Sequence, residues 1–341
     1  MLDLTIIIPT HNRKKLVLRN LNYLSNYNIN VIISESGNTD NYINYPKNNF
    51  LLLNCINLSM HQKIYKALKL VKSKYVAICA DDDFIAIENL KFFIKFLEKN
   101  KEYSVVDGTY VYFKNYFGFF KVNQAYKNKY NFNNFSNDPN SRIKYSINNY
   151  TNFMYSIMRK EHLKLCLEFV HEVIDDKNFP EITEISLNLV SSILGKQRSL
   201  PKFWMAKDLN RYSKYLNTSN KNLPKNNDAI VIANWKEFFN STLGIKYKNL
   251  LLSKFFLDAS KFDLDHLSII ASNKRGIRKI AFLFLKYLNL KFNNIFLLMY
   301  KKIRISYILF SKRDYKKKGY PWNSKIEKKQ LKLIISSIND Q

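Results

Sequence analysis

The sequence predicts an α/β fold, in which a Rossmann-like mixed sheet with flanking helices is followed by an all-helical, strongly basic C-terminal region. Three observations support this prediction. Short apolar runs alternate with helical patterns over the first hundred residues. Polar and acidic clusters directly follow three of the apolar runs. Beyond residue 220, basic residues become frequent and apolar residues recur at helical spacing.

The first elements are predicted from these alternating runs. Leu4–Pro9 is continuously apolar, which is typical of a strand buried on both faces. Later strands are predicted from similar short runs, and helices from apolar residues on one stripe. The further strands are Asn30–Ser34, Phe50–Leu53, Tyr75–Ala80 and Ser104–Asp107, and the helices are Arg13–Tyr27, Met60–Lys72 and Ile87–Lys99.

The pattern changes in the middle of the chain. Residues 115–150 are dense in Asn, Lys, Tyr and Phe with little periodicity, so we expect an irregular segment that is functional or mobile. Helices are predicted again at 161–174 and 181–194, the second ended by Gly195. Residues 201–211 indicate a strand or extended segment. The polar stretch 213–227 is the predicted boundary between domains 1–215 and 216–341.

The charge is unevenly distributed. The 341 residues include 55 Lys and Arg against 27 Asp and Glu, a net charge of +28. Residues 221–341 carry 25 of the basic and 8 of the acidic residues. Aromatic, basic helices predicted at 277–288 and 300–318 could lie on an anionic membrane surface. The alternatives are nucleic acid, for which no binding signature is present, and a merely solvated face.

Several classes of protein are disfavoured. The three cysteines are scattered, so a disulfide scaffold or zinc site is not expected and a cytoplasmic location fits. The N-terminal apolar run lacks a basic leader and a cleavage site, and no run of about 18 apolar residues predicts a membrane span. GxGxxG, GxxxxGK[ST] and GxSxG are absent, which disfavours dehydrogenases, ATPases and serine hydrolases.

The acidic triplet Asp81-Asp82-Asp83 ends the predicted strand Tyr75–Ala80. Ligands of open α/β sheets bind beyond the carboxyl ends of the strands. Asp81 and Asp83, two residues apart, could face one Mn²⁺ or Mg²⁺ ion that bridges diphosphate oxygens. The alternative is an acidic turn in which Asp83 caps the following helix.

Two more clusters end neighbouring strands. Pro9-Thr10-His11-Asn12-Arg13 follows the first strand and could present helix N-terminal amides to a ligand. Glu35-Ser36-Gly37-Asn38-Thr39-Asp40 follows the second, where a carboxylate could accept hydrogen bonds from a base or ribose. A plain helix cap and an ordinary polar turn are the alternatives.

Together the three clusters resemble the motifs of the GT-A nucleotide-sugar glycosyltransferases, specifically the family 2-like group. Pro9-Thr10-His11-Asn12 matches its first motif, Glu35 to Asp40 its second with Glu35 replacing an Asp, and Tyr75 to Asp83 its Asp-x-Asp motif. The resemblance is firm over residues 3–113 and looser over 150–211. Lys63-Ile64-Tyr65 stands where the family usually carries an Ala-Arg-Asn-like triplet.

The resemblance implies roles for particular residues. The nucleotide would be bound by Pro9, Thr10, Arg13, Glu35, Asp81 and Asp82. Mn²⁺ or Mg²⁺ would be held by Asp83 with Asp81. A carboxylate on a later helix would act as the general base, with Glu184 preferred and Glu181 second; the alternative is an acidic helix N-terminus.

The resemblance also implies an activity. We expect an inverting, metal-assisted transfer of a sugar from a nucleotide-sugar donor to a hydroxyl of a bacterial surface glycan or lipid-linked acceptor, at the inner face of the membrane. Hexosyl and ulosonic-acid transfer both stay open. The competing hypotheses are a nucleotidyltransferase on a related sheet, which normally needs a Gly-rich first loop, and a non-enzymatic basic nucleic-acid-binding protein.

Overall fold

The computed structural model describes most of the first 208 residues and parts of the remainder. The described residues are 2–38, 49–116, 119–126, 129–149, 151–173, 180–208, 242–257, 307–310, 320–321 and 324–339. The predicted domain boundary at 215 and the predicted helix at 277–288 lie outside them.

The strands form one mixed sheet, which confirms the predicted fold class. In chain order they are β1 Leu4–Thr10, β2 Asn30–Glu35, β3 Phe50–Asn54, β4 Tyr75–Ile78, β5 Phe84–Ile85, β6 Tyr103–Tyr116, β7 Phe119–Gln124, β8 Asn133–Asn134, β9 Ile157–Arg159, β10 Lys196–Asp208 and β11 Tyr307–Phe310.

Strand order brings the ends of the first strands to one edge. The main path runs β11, β7, β6, β9, β4, β1, β2, β3. β4, β1, β2 and β3 are parallel neighbours, and β9 pairs antiparallel with both β4 and β6. β10 runs parallel to β6 and pairs antiparallel with β5 and β8. The carboxyl ends of β1, β2 and β4 therefore meet.

Helices cover both faces of this sheet. They are α1 Lys14–Leu24, α2 Met60–Leu70, α3 Leu90–Lys99, α4 Pro139–Asn148, α5 Lys160–Val173, α6 Pro180–Leu194, α7 Thr242–Lys254 and α8 Lys325–Asn339, with a short 3₁₀ turn at Ile87–Asn89. One core packs α1, α3 and α8 against the sheet, and the other packs α2, α4, α5, α6 and α7. Among the described residues, no helix is long and apolar enough to cross a membrane.

β1 shows why the continuous apolar run predicted a doubly buried strand. Ile6 and Ile8 belong to the core beneath α1, and Ile7 belongs to the core beneath α2. Successive side chains of a strand point to opposite faces, so each face needs apolar residues at alternate positions. With both faces covered by helices, the strand reads as apolar throughout.

The prediction of an irregular segment at 115–150 is wrong over much of its length. It contains the strands β7 and β8 and the helix α4. Asp138 caps α4, because its carboxylate accepts hydrogen bonds from the N–H groups of Asn140 and Ser141. Only Ile143 and Ile147 are buried apolar residues of α4, too few to give a clear helical stripe.

The prediction of an all-helical C-terminal region is wrong at β11, which lies within the helix predicted at 300–318. Its sequence, YILF, pairs in parallel with β7 at the edge of the sheet. β-branched and aromatic residues favour strands, and β7 offers an edge to pair with. α8 also joins the first core through Leu331, Ile334 and Ile335, so the described C-terminal elements pack on the sheet domain.

Candidate active site

The three strand-end clusters come together at the shared edge of β1, β2 and β4. The Thr10 hydroxyl donates a hydrogen bond to Asp81 Oδ2 at 2.7 Å, which joins the first and third clusters. The backbone N–H of Asn12 donates to Glu35 Oε1 at 3.0 Å, which joins the first and second. The three clusters that were predicted to share one crevice are therefore in contact with one another.

Glu35 holds the two loops together. It is fully buried, and its Oε1 accepts from Asn12 N–H and from Gly37 N–H at 2.6 Å. Asn12 has a φ of 53° and its Oδ1 accepts from Asn38 N–H. A Cβ on Gly37 would lie 2.0 Å from that Oδ1, so any other residue would displace Asn12. The described contacts of Glu35 thus tie the loops, and its predicted nucleotide contact stays a prediction.

Arg13 bridges two of the three aspartates. Its guanidinium lies 2.7 Å from a carboxylate oxygen of Asp81 and 2.7 Å from one of Asp82. The Arg13 side chain is one-third exposed, whereas Asp81 is buried. Burial, reinforced by the charge of Asp82, raises the pKa of Asp81 to about 7, although Arg13 opposes the shift. Arg13 is the accessible cation of this part of the site.

Asp83 has a different cation. Lys207, at the end of β10, places Nζ 2.7 Å from Asp83 Oδ2, and the N–H of Asp208 donates to Oδ1 at 3.3 Å. Burial raises the pKa of Asp83 to about 6 in spite of Lys207. Lys207 also lies 4.2 Å from the centre of the Tyr155 ring. The residue before the 3₁₀ turn is Ala86, so Asp83 does not cap that turn as the alternative proposed.

Two residues of α1 support the acidic loop and were not predicted from the sequence. Arg19 pairs with Asp208 at 2.8 Å and donates to the carbonyl of Asp82 at 2.9 Å. Asn20 donates to the carbonyl of Asp83 at 2.7 Å. Both side chains are buried. The helix itself was predicted from the apolar residues on one of its faces. Arg19 and Asn20 lie at helical spacing from apolar residues of α1, so polar residues within the apolar stripe are the sequence signal that could have found them.

Lys63 of α2 is another buried cation at the crevice. Its Nζ donates to the carbonyl of Thr10 at 2.6 Å and to the Ser36 hydroxyl at 3.1 Å. Burial lowers its pKa, while the carboxylates of Glu35 and Asp81 oppose the shift. Lys63 lies where the family usually carries an Ala-Arg-Asn-like triplet. This difference from the family was the only sign in the sequence that Lys63 belongs to the site.

Glu184 lies on α6, in the same region as Lys207. Burial chiefly raises the pKa of Tyr126 and of Tyr155; Lys207 opposes both shifts and Glu184 adds to both. Glu184 therefore stands within electrostatic reach of the two tyrosines on which Lys207 lies. Glu181 is the second residue of α6, and the description does not extend to its side chain.

The described arrangement does not fit the predicted metal ion. Asp83 is held by Lys207 and a backbone N–H, and Asp81 is held by Arg13 and Thr10. A divalent cation on Asp83 would lie against the Lys207 ammonium and be repelled by it. Within the described ranges, no three His, Cys, Asp or Glu side chains are placed to hold one ion.

Comparison with known proteins identifies the domain. Residues 5–164 match the family model for glycosyl transferase family 2. The protein is a glycosyltransferase, and its match to family 2 covers just under half of the chain. The matched stretch of the glycosyltransferase runs from β1 into α5, so it includes Asp81, Asp82 and Asp83 and ends before Glu184 and Lys207.

Solved structures similar to the glycosyltransferase include those of S. aureus TarS. The structure of TarS 1–349 is 17% identical with a TM-score of 0.45, over 74% of this chain and 72% of that chain. A structure of TarS 1–349 in complex with UDP-GlcNAc is 16% identical with a TM-score of 0.43, over 75% and 72%. No curated protein matched the glycosyltransferase in sequence.

Proposed function

We propose that this glycosyltransferase moves a sugar from a nucleotide-sugar donor to a hydroxyl of a bacterial surface glycan or lipid-linked acceptor, with inversion at the anomeric carbon. The observation that carries the proposal is that two cations and a carboxylate lie in the same region of the molecule. Arg13 and Lys207 lie on the aspartates at the strand ends, and Glu184 lies near the aromatic neighbours of Lys207. Cations and a carboxylate are the groups that a single displacement needs.

The donor nucleotide would lie over the ends of β1 and β4. Pro9 and Thr10 end the first strand, and Glu35 and Lys63 close the loops beside them. Asp81 and Asp82 would face the ribose, with Arg13 between them and the phosphates. This arrangement gives the anionic donor a partly exposed cation on entry, which favours its binding.

The transfer step uses Glu184 as the general base. Its carboxylate accepts the proton of the acceptor hydroxyl while that oxygen forms a bond to the anomeric carbon. The bond from the anomeric carbon to the diphosphate breaks, and its electron pair stays on the diphosphate. Glu181, one turn earlier on α6, is the second candidate for this role.

Mn²⁺ or Mg²⁺ at Asp83 and Asp81 stays a prediction from the sequence. When bound, such an ion neutralises charge on a departing diphosphate. Because Lys207 and Arg13 hold these carboxylates in the described arrangement, no step of the proposed reaction is routed through a metal.

A thermal-unfolding screen tests the proposed donor class. UDP, GDP, ADP, dTDP and CMP are each added to the full chain, with and without Mn²⁺. We expect one nucleotide to stabilise the protein, by about 2.7 kcal/mol at a hundredfold excess over its dissociation constant. Stabilisation by CMP alone would indicate an ulosonic-acid donor. No stabilisation by any nucleotide would overturn the proposal.

We also propose that the basic C-terminal region holds the enzyme against the anionic inner face of a membrane. The support is its charge, since residues 221–341 carry 25 Lys and Arg against 8 Asp and Glu. Each basic residue near an anionic bilayer surface contributes about 1 kcal/mol of attraction. Such a location suits a lipid-linked acceptor, whose hydroxyl is presented at the same surface.

A further inference from the structure

We propose that the Lys207 ammonium, held on Asp83, takes the place of a divalent cation beside the leaving diphosphate. The enzyme would then bind nucleoside diphosphates and transfer sugar without metal. This inference rests on the proposed function. It names Lys207 as the group that stabilises the negative charge on the leaving diphosphate. It departs from the metal prediction made from the Asp-x-Asp motif.

The first argument is where the ammonium stands. Lys207 Nζ is 2.7 Å from Asp83 Oδ2, and the side chain keeps 12% of its surface exposed while that of Asp83 keeps 4%. The lysine is thus the more accessible member of the pair. An ammonium has three N–H donors, so it can hold Asp83 and still donate to a phosphate oxygen.

The second argument is that the fold holds Lys207 in this position. On the β10 backbone, Lys207 pairs with Tyr112 of β6, and Ala206 pairs with Phe84 of β5. The next residue, Asp208, is anchored to Arg19 at 2.8 Å. A side chain on a paired strand is positioned more sharply than one on a loop. Lys207 therefore has the fixed backbone that a preorganised cation needs.

The third argument is the surroundings of the ammonium. The Tyr155 ring lies 4.2 Å from Nζ and the Tyr126 ring 5.8 Å, so aromatic faces line the space around it. Ring faces attract a cation and exclude water. Charge that develops on a diphosphate oxygen here would be stabilised more strongly than in bulk water.

The step balances without another reactant. The acceptor oxygen gives its proton to Glu184 and bonds to the anomeric carbon. The departing nucleoside diphosphate keeps the electron pair of the broken bond and gains one negative charge. Lys207 remains protonated throughout, donating a hydrogen bond to the oxygen that carries this charge.

Isothermal calorimetry with UDP, GDP, ADP and dTDP tests the inference on the full chain. Each nucleotide is titrated in excess EDTA and again with Mn²⁺ in place of EDTA. We expect at least one to bind in EDTA, with affinity that Mn²⁺ does not increase. Lys207→Met should weaken that binding about 10- to 100-fold in EDTA, the usual effect of losing a hydrogen bond to a charged group. Lys207→Arg should retain most of it.

Lys202→Met is the matched control. It removes the same charge from the same strand, but its side chain reaches Glu327 of α8 at 3.8 Å, and nucleotide affinity should not change. Binding that requires Mn²⁺ in the wild type would overturn the inference, and this arm needs no variant that might misfold. Wild-type affinity of a folded Lys207→Met in EDTA would overturn it too. Binding of none of the four diphosphates in either condition would overturn this inference, and the proposed function would fail with it only if CMP also failed to bind.

Discussion

At the residue scale, the site depends on buried charges that join segments distant in sequence. Arg19 on α1 pairs with Asp208 at the end of β10, and both side chains are at most 6% exposed. The same guanidinium donates a hydrogen bond to the backbone carbonyl of Asp82. One buried arginine therefore fixes the acidic loop and the strand that carries Lys207 relative to each other.

Arg19→Met should destabilise the fold by about 3–5 kcal/mol, because it removes one member of a buried ion pair. The measurement is urea unfolding followed by circular dichroism. Lys164→Met is the control: Lys164 is 49% exposed and lies 3.9 Å from Glu168, a surface pair worth about 0–1 kcal/mol. Equal losses in the two variants would contradict the assigned role of Arg19.

The site residues fall into two groups by how they can be found. Thr10 and Glu35 are the last residues of β1 and β2, and Asp81 lies just beyond the end of β4, so local sequence shows both their position and their shared edge. Lys63 and Lys207 give no such signal, because their partners lie 53 and 124 residues away in sequence, at Thr10 and Asp83. Such pairings depend on strand order, which composition and spacing do not contain.

At the element scale, α8 is a structural part of the sheet domain. Gln330 donates to the hydroxyls of Tyr23 at 2.7 Å and Tyr27 at 2.9 Å, and its Oε1 accepts from Glu88 N–H at 2.8 Å. Ile334 is fully buried in the core shared with α1. The last described helix of the chain thus closes one face of the sheet.

Ile334→Ala should therefore cost about 2–5 kcal/mol of unfolding free energy, since a buried side chain would be replaced by a cavity. Ile326→Ala is the control on the same helix, because Ile326 is 58% exposed and its loss should cost about 0.5 kcal/mol or less. Urea unfolding measures both. A small loss for Ile334→Ala would show that α8 is not part of this core.

α2 should give the fold a pH dependence through His61. Burial, aided by the charge of neighbouring His171, lowers the pKa of His61 from its ordinary value of 6.5. The folded state then binds fewer protons than the unfolded state, so His61 lowers stability as the pH falls below about 6.5. His61→Gln should reduce this loss in unfolding experiments between neutral and mildly acidic pH. An unchanged pH profile would contradict the assignment.

Elements were predicted best where one physical signal dominated. β1 and β4 are buried on both faces and read as apolar runs, and α3 has a clear apolar stripe. β7 alternates buried Phe120 and Val122 with Lys and Asn, in a stretch whose composition suggested a loop. β11 is stabilised by pairing with the edge of β7, a long-range contact that outweighs its helical surroundings in sequence.

For the whole molecule, the net charge of +28 is divided between the N-terminal part that carries the site and the C-terminal region. At the strand ends, Arg13 and Lys207 form ion pairs with three aspartates. The larger excess of basic over acidic residues belongs to residues 221–341. The structure describes parts of this region, and its described helices pack against the sheet domain. Under the proposed membrane attachment, most of the net charge would serve the location of the enzyme and not the chemistry of its site.

Flotation with lipid vesicles checks the proposed membrane surface. The full chain should bind vesicles containing phosphatidylglycerol and not vesicles of phosphatidylcholine alone. Raised salt should release it, because attraction between exposed charges is screened beyond about 8–10 Å at physiological ionic strength. Equal recovery with both vesicles, or binding that salt does not weaken, would contradict an electrostatic attachment.

The central claim is that the crevice at the ends of β1, β2 and β4 transfers a sugar with Glu184 as base, and steady-state kinetics of Glu184→Gln test it most directly. The assay follows release of nucleoside diphosphate from the donor whose nucleotide binds in the screen, with Glu98→Gln, an exposed position on α3, as the control. We expect kcat to fall about 10²- to 10⁴-fold in Glu184→Gln with the donor KM nearly unchanged, and no change in Glu98→Gln. Wild-type kcat in Glu184→Gln would contradict the account.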